Sequence, residues 1–344
     1  MKTFLTAGAA LLMTTGLATA GGLDRSGQGI GIIFEDGDYA ELSYGSVSPD
    51  VSGTGIGGPT GNITPSYTQL GMGLKMQVND QVSLALIYDQ PFGADVDYDT
   101  GSTYILGTTN ASVESDGVTA LLRYEINPSF SLHGGARFVQ ASGVYDVTFP
   151  AAYTSTYSKG NGTGYVIGGA YERDDIALRV ALTYSSEIDV ALDGTAGDLS
   201  TTLPESVNLD FQTGIAADTL LFGSIRYVGW KGFSLDDSVA GSILSYDDDV
   251  ITYNIGVGRR INDQLAASFS IGYEASTGEL TGNLGPTDGY ISYQLGAAYT
   301  MDSGVEISGG VRYVNIGDAT TSGIGGVFTD NDGLAVGLKV GFTF

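Results

Sequence analysis

The sequence predicts an all-β protein: a transmembrane antiparallel up-and-down β-barrel of about fourteen strands, with short periplasmic turns and long outer loops. Three observations lead there. At the C-terminus Leu338, Val340, Phe342 and Phe344 are apolar, while Lys339, Gly341 and Thr343 between them are charged or small. That two-residue period suits a strand with one face in lipid and the other in a lumen. Beyond the first 20 residues no apolar run approaches the length of a membrane-crossing helix, which takes about 20 residues, and the mean hydropathy is only +0.09. Tight polar turns and long polar connections also alternate along the whole chain, the asymmetry expected of an outer-membrane barrel.

Residues 1–20 read as a signal peptide: Lys2 supplies the positive start, 4–13 the apolar stretch, and Ala18-Thr19-Ala20 the small-residue cleavage pattern. The mature chain is then expected to begin at Gly21. A short N-terminal segment, 21–37, follows. Its part at 22–29 fits either a reduced hatch inside the barrel or an unstructured periplasmic tail. Residues 38–344 form the barrel, taken as one domain because no linker or composition break interrupts the strand spacing.

The first strand lies near 39–47. In the second, Leu70, Met72, Leu74, Met76 and Val78 make one stripe and Gln69, Gly71, Gly73, Lys75 and Gln77 the other. Asn79-Asp80 turns the chain, and Val82, Leu84, Leu86 and Tyr88 continue outward. Strands at 118–126 and 130–138 meet at Asn127-Pro128-Ser129. The next pair runs through Ile167 and Tyr171, turns at Arg173-Asp174-Asp175 and resumes with Ile176, Leu178, Val180, Leu182 and Tyr184. Two further pairs meet at Ala217-Asp218-Thr219 and Asn262-Asp263. The last three strands are 291–299, 305–313 (after Met301-Asp302-Ser303-Gly304) and 334–344. The long connections fall at 46–65, 90–113, 147–163, 186–205, 231–247, 275–288 and 317–331. An even strand count puts both termini on the periplasmic side.

Composition narrows the function classes. Fourteen Lys+Arg against 39 Asp+Glu give a net charge of −25, which argues against nucleic acid or anionic membrane surfaces as partners. Cysteine is absent, removing disulfide scaffolds and thiolate metal sites, as suits a Gram-negative envelope protein. The 53 glycines and 21 tyrosines fit strands that bend and rings that settle at the membrane boundary. Acids concentrate in the long connections, as at Asp95, Asp97 and Asp99, Asp236-Asp237, and Asp247-Asp248-Asp249, while Lys75, Arg123, Arg137, Arg179, Arg312 and Lys339 fall on inward-facing positions. A lipid-facing Arg or Lys at the midplane would cost about 2–4 kcal/mol, which fixes the phase of each strand.

Catalytic and metal chemistry find no constellation. His133 is the single histidine, placed near a short turn and facing inward, and no serine-histidine-acid set accompanies it, so it reads as a solvated lumen side chain and the protein as no enzyme. Asp330-Asn331-Asp332-Gly333 is like part of a calcium loop but lacks the closing glutamate, and Gly55-Ile56-Gly57-Gly58-Pro59 is not followed by a helix pattern. No cofactor or metal is expected.

Three segments carry a family resemblance. Gly160-Asn161-Gly162-Thr163-Gly164, leading through Tyr171-Glu172 to Leu182-Thr183-Tyr184-Ser185-Ser186-Glu187-Ile188, resembles a strand-turn-strand unit of the FadL/TodX family, outer-membrane transporters of long-chain fatty acids and other hydrophobic compounds. Leu203-Pro204-Glu205 with Val228-Gly229-Trp230-Lys231-Gly232-Phe233, and Asn79-Asp80 through Tyr88 to Pro91-Phe92-Gly93, are similar to two more of its motifs. The departure is at the N-terminus, where family members carry a longer hatch with an Asn-Pro-Ala segment.

The resemblance implies a monomeric channel that captures hydrophobic molecules, most of all long-chain fatty acids, in its outer loops and releases them through the wall or the periplasmic end without energy input. Loop residues Tyr104, Ile105, Leu106, Phe149, Tyr153 and Tyr157 are the candidate capture groove. In the lumen Arg123, Arg137 and Arg179 are candidates for holding a carboxylate, whose two oxygens match arginine's fork; the alternative is pairing with inward acids such as Glu125, Asp210 and Glu274. Outer-membrane lipids, lipopolysaccharide and, through the terminal Phe344, the outer-membrane assembly machinery are the expected partners. Two other readings stay open: a structural or adhesive barrel with acidic loops, and a general porin for small polar solutes.

Overall fold

The computed structural model describes residues 22–98 and 101–344; the signal peptide read at 1–20 lies outside them. Fourteen strand positions close into one antiparallel barrel. They are β1 (Tyr39–Asp50), β2 (Tyr67–Asn79), β3 (Val82–Asp89, resuming as Gly93–Asp97), β4 (Asn110–Asn127), β5 (Phe130–Val147), β6 (Tyr153–Arg173) and β7 (Leu178–Ser185). The second half comprises β8 (Ser206–Ala216), β9 (Thr219–Val228), β10 (Val250–Arg260), β11 (Leu265–Glu274), β12 (Tyr290–Thr300), β13 (Val305–Ile316) and β14 (Asn331–Thr343). Strand β14 returns to β1 with Tyr39 opposite Thr343, so both barrel ends of the chain lie on one rim. Among the described residues no helix is long and apolar enough to cross a membrane.

The alternation read from the sequence sets which face is which. Leu70, Met72, Leu74, Met76 and Val78 are exposed on the outside of β2, while Lys75 between them is 1% exposed, its Nζ donating to Gly37 O and Gln77 Oε1. Three short turns share one device. The side-chain oxygens of Asn79, Asn127 and Asn262 each accept the backbone N–H groups two and three residues on, at 2.8–3.1 Å; asparagine is favoured at turns for this bond.

Long loops are fewer than the sequence suggests. Strands β5 and β6 stay paired out to Val147 and Tyr153, leaving a turn at 148–152 where the pattern predicts a connection over 147–163, and β4 starts at Asn110 rather than 118. Above the hydrocarbon neither face of a strand meets lipid, so the apolar alternation fades although backbone pairing continues. Parts of the remaining outer segments form two four-stranded sheets. One joins Ile188–Leu192, Leu199–Leu203, Ser234–Asp237 and Gly241–Ser245; the other joins Ser52–Gly55, Gly58–Asn62, Ala319–Thr320 and Val327–Phe328.

The outer edge of the lipid-facing surface carries a repeated pair. Tyr88, Tyr184, Tyr227 and Tyr313 sit opposite Val118, Val207, Ile251 and Leu334 on the next barrel strand. Each phenol donates to the carboxylate two residues before that partner: Asp116, Glu205, Asp249 and Asp332, at 2.6–3.1 Å. A ring in the acyl boundary with its hydroxyl on a headgroup-level acceptor fixes the barrel's depth. Changing all four tyrosines to phenylalanine is expected to lower the temperature at which the purified barrel loses its heat-modifiable gel mobility, with uptake of hydrophobic probes unchanged.

One strand leaves the wall. Between Asp89 and Gly93, β3 bends inward and pairs with residues 23–25: Arg25 N–H donates to Pro91 O and Gly93 N–H to Leu23 O, each at 2.8 Å, and Asp24 bridges Phe92 antiparallel. Pro91 has no N–H to give a neighbouring wall strand, so the turn inward loses nothing there. The upper part of β2 accordingly pairs with β1 alone, since its register with β3 begins only at Met72 opposite Tyr88. The side-chain oxygen of Gln90 accepts the Leu70 N–H at 2.9 Å, covering a donor that would otherwise face a gap in the wall.

Candidate hydrophobic-ligand site

Residues 22–36 lie inside the lumen and are tied to it by polar contacts. Asp24 accepts from Arg226 Nε, which donates also to Asn208 through Nη1 at 2.7 Å. Ser26 donates to Asp89, Gln28 accepts from Ser206 Oγ at 2.9 Å, and Asn208 donates to Gly27 O at 2.9 Å. Lower down, the 3-10 turn Gly31–Phe34 buries Ile32 and Ile33 against Ala85, Ile87, Leu121 and Val166 of the wall.

The Phe34 ring sits between the guanidinium groups of Arg123 and Arg179, 4.9 and 4.8 Å from its centroid, with His133 edge-on at 5.9 Å. Two of the three sequence-selected arginines therefore meet on an aromatic ring of the N-terminal segment. Arg123 pairs with Glu172 and Glu125 and donates to Ser131 Oγ; Arg179 donates to Gln212 Oε1 at 3.2 Å. Arg137 stands apart, donating to Thr119 Oγ1 at 2.8 Å. Of the inward acids that the alternative reading names, Glu125, Asp210 and Glu274, the first is thus one of the partners of Arg123. His133 corrects its reading as a solvated side chain: it is 3% exposed, its Nε2 lies 3.0 Å from Thr183 Oγ1, and Gly168 opposite leaves room for the ring. Burial pushes the Glu35 carboxyl up to about 7 against the attraction of Lys339 and Arg179.

Above this charged layer the lumen becomes apolar. A cavity with about 680 Å³ of empty space, part of it open to solvent, is lined among others by Leu23, Val113, Tyr157, Leu203, Leu235 and Leu244, and no charged side chain reaches it. Its outer wall is the loop sheet of 188–203 and 234–245. Beside it Trp230, fully buried, packs edge-on against Phe92, Phe233 and Tyr246 with centroids 5.9, 4.9 and 5.3 Å away. Phe92, Leu203, Trp230 and Phe233 come from two of the three motif segments and share this one core.

The four aromatic residues selected for a capture groove divide. Tyr157 lines the cavity, and its hydroxyl donates to Asp237 at 2.6 Å; Tyr153 donates to the same carboxylate at 2.7 Å. Burial works against the Asp237 charge, but those two hydroxyls and the Ala240 and Val239 N–H groups hold the carboxyl below the usual range. Tyr104 is buried elsewhere, stacked on Tyr98 at 5.5 Å, and Phe149 stands 40% exposed at a hairpin tip. Leu199, Leu235 and Leu244, which share this core, lie in stretches that the sequence reads as long connections. Their signal is the alternation Ile188, Val190, Leu192 inside a stretch read as loop.

Two further spaces lie nearby, one beside the apolar cavity and one lower in the lumen. The first shares Leu23, Ala94, Val96 and Leu284 with the apolar cavity and has Arg25 and Asp95 as its charged side chains. The second opens at the wall gap, bounded outside by Tyr44, Leu70 and Met72 and inside by Phe34, Glu35 and Arg179.

A closed barrel with an apolar outer belt and a filled lumen is an outer-membrane β-barrel, and the solved structures it matches are of that kind. No protein-family model and no curated protein matches the chain. Its fold is shared with a Pseudomonas aeruginosa FadL homologue, at TM-score 0.77 and 17% identity over 98% of each chain. The Pseudomonas putida toluene transporter TodX matches at TM-score 0.71 and 11% identity, over 97% of this chain and 98% of its own. The Ralstonia pickettii toluene transporter TbuX matches at 0.64 and 12%, over 96% and 97%. The barrel is thus of the FadL/TodX fold, as the sequence motifs lead one to expect.

Proposed function

We propose that this barrel is a channel for passive uptake of hydrophobic compounds across the outer membrane, long-chain fatty acids among them. One observation carries the reading: an uncharged apolar cavity beneath the outer loops, a second space bordering it, and a third that opens at a gap in the barrel wall. Apolar molecules leave the outer aqueous side for the cavity by the hydrophobic effect, at roughly 25 cal/mol per Å² buried. The gap then offers hydrocarbon on its far side, so lateral release is downhill as well. Proteins sharing the fold include channels described as toluene transporters, in support of hydrophobic cargo.

The test is uptake of radiolabelled toluene and oleate by cells with and without the gene. Uptake of at least one is expected to fall in the deletion strain, and equal uptake of both removes the proposal. Filling the gap tests the exit: Gln69 lines it, and Gln69→Trp is expected to remove most of the uptake while leaving binding to the purified protein intact.

A further inference from the structure

We propose that Arg25 is a carboxylate-reading site beside the apolar cavity, with Asp95 holding the place of the ligand's headgroup until one arrives. This rests on the uptake reading above and names the residue by which that path tells a charged amphiphile from a neutral hydrocarbon.

The geometry is that of a built anion site. Arg25 belongs to the segment inside the lumen, and its side chain is 7% exposed. The guanidinium lies 4.2 Å from the centroid of Tyr67, and on its other side Gly93 is what makes room, because a Cβ there would come within 2.7 Å of it. The backbone bonds from Arg25 to Pro91 and from Gly93 to Leu23 fix this placement. The group is therefore held from two sides before any ligand comes. Its Nη2 donates to Asp95 at 2.8 Å, and its Nε has no hydrogen-bond partner among the described residues.

The partner is the exchangeable half. Asp95 is 25% exposed on its side chain against 7% for Arg25, and it faces the space in which these two are the charged side chains. Releasing Asp95 to water costs little, whereas leaving Arg25 without an anion costs much, so an incoming carboxylate can replace Asp95 on the same guanidinium. An amphiphile with its chain in the apolar cavity would bring its headgroup to that level, since Leu23, Ala94 and Val96 border both spaces. With no carboxylate present the Arg25 and Asp95 charges cancel, and a neutral hydrocarbon passes a closed ion pair. The arginines chosen from sequence are engaged otherwise, on Phe34, Glu172, Thr119 and Gln212.

The experiment measures binding of laurate and of dodecanol, equal in chain and different in charge, to the purified full-length barrel in a non-ionic detergent by isothermal titration calorimetry. Arg25→Gln is expected to weaken laurate about tenfold, the size of one charge-assisted contact, and to leave dodecanol unchanged. Asp95→Asn is expected to tighten laurate by a similar factor, the opposite of what damage to the fold would do. Gel mobility before and after boiling confirms that each variant is a folded barrel. Laurate affinity unaltered by Arg25→Gln, or weakened by Asp95→Asn, overturns the assignment of Arg25 and leaves the channel reading standing. Failure of the wild type to bind dodecanol at all would instead remove the apolar cavity as a ligand site, and with it the uptake reading.

Discussion

Replacing Ala94 with tryptophan is expected to reduce hydrophobic-probe uptake to the level of cells that lack the protein, while the barrel still assembles. Ala94 lies on the resumed half of β3 and borders both the apolar cavity and the space beside it. An indole there occupies the passage itself. Overpacking a filled core costs about 1–3 kcal/mol, but this side chain grows into empty space and its backbone pairing with Val113 of β4 is untouched. The control is Leu86→Trp on the lipid face, where Leu86 is 51% exposed. Its uptake should equal that of the wild type. Normal transport by the Ala94→Trp variant, with mobility on gels still changed by boiling, would mean that cargo does not descend through this cavity.

How much of this could be read in advance follows from where lipid touches the chain. The stripe from Leu70 to Val78 must be apolar because hydrocarbon solvates it, and the residues between must be small or polar because the lumen takes them; the strand, its phase and its turn at Asn79 follow. The inward bend of β3 left only a faint trace, Gln90-Pro91-Phe92, because what bends it is pairing with residues 23–25, far away in sequence. The same is true of Arg25. It looks like any charge in a polar segment until Tyr67 and Gly93 are seen on either side of it. Inward phase is legible for arginines on barrel strands, and those anchor Phe34 or neighbouring polar groups. The loop leucines are hard to read for the converse reason: their alternation packs one loop sheet over the lumen, and no membrane thickness marks its length.

Removing residues 22–36 is expected to turn the protein into an ion-conducting pore with large steady steps in planar bilayers, where the intact chain shows small ones. The segment fills the lumen at the level of Asp24, Arg226, Asn208 and Ser206 and again at Phe34 between Arg123 and Arg179. With it gone, water reaches these groups, and charges that lose a partner are solvated rather than stranded. The point variant Asp24→Ala should behave differently. The segment stays, the buried Arg226 is left with its bond to Asn208 and no carboxylate, and breaking one half of a buried pair costs about 3–5 kcal/mol; its trace should therefore flicker between closed and open. The deletion has a second consequence. Residues 91–93 lose the partner that draws β3 inward, so β3 can return to the free upper edge of β2 and close the wall gap. Ion conductance should then rise while toluene and oleate uptake falls. A deletion variant that conducts no better than the intact chain would show that the outer loop sheets, and not this segment, seal the lumen.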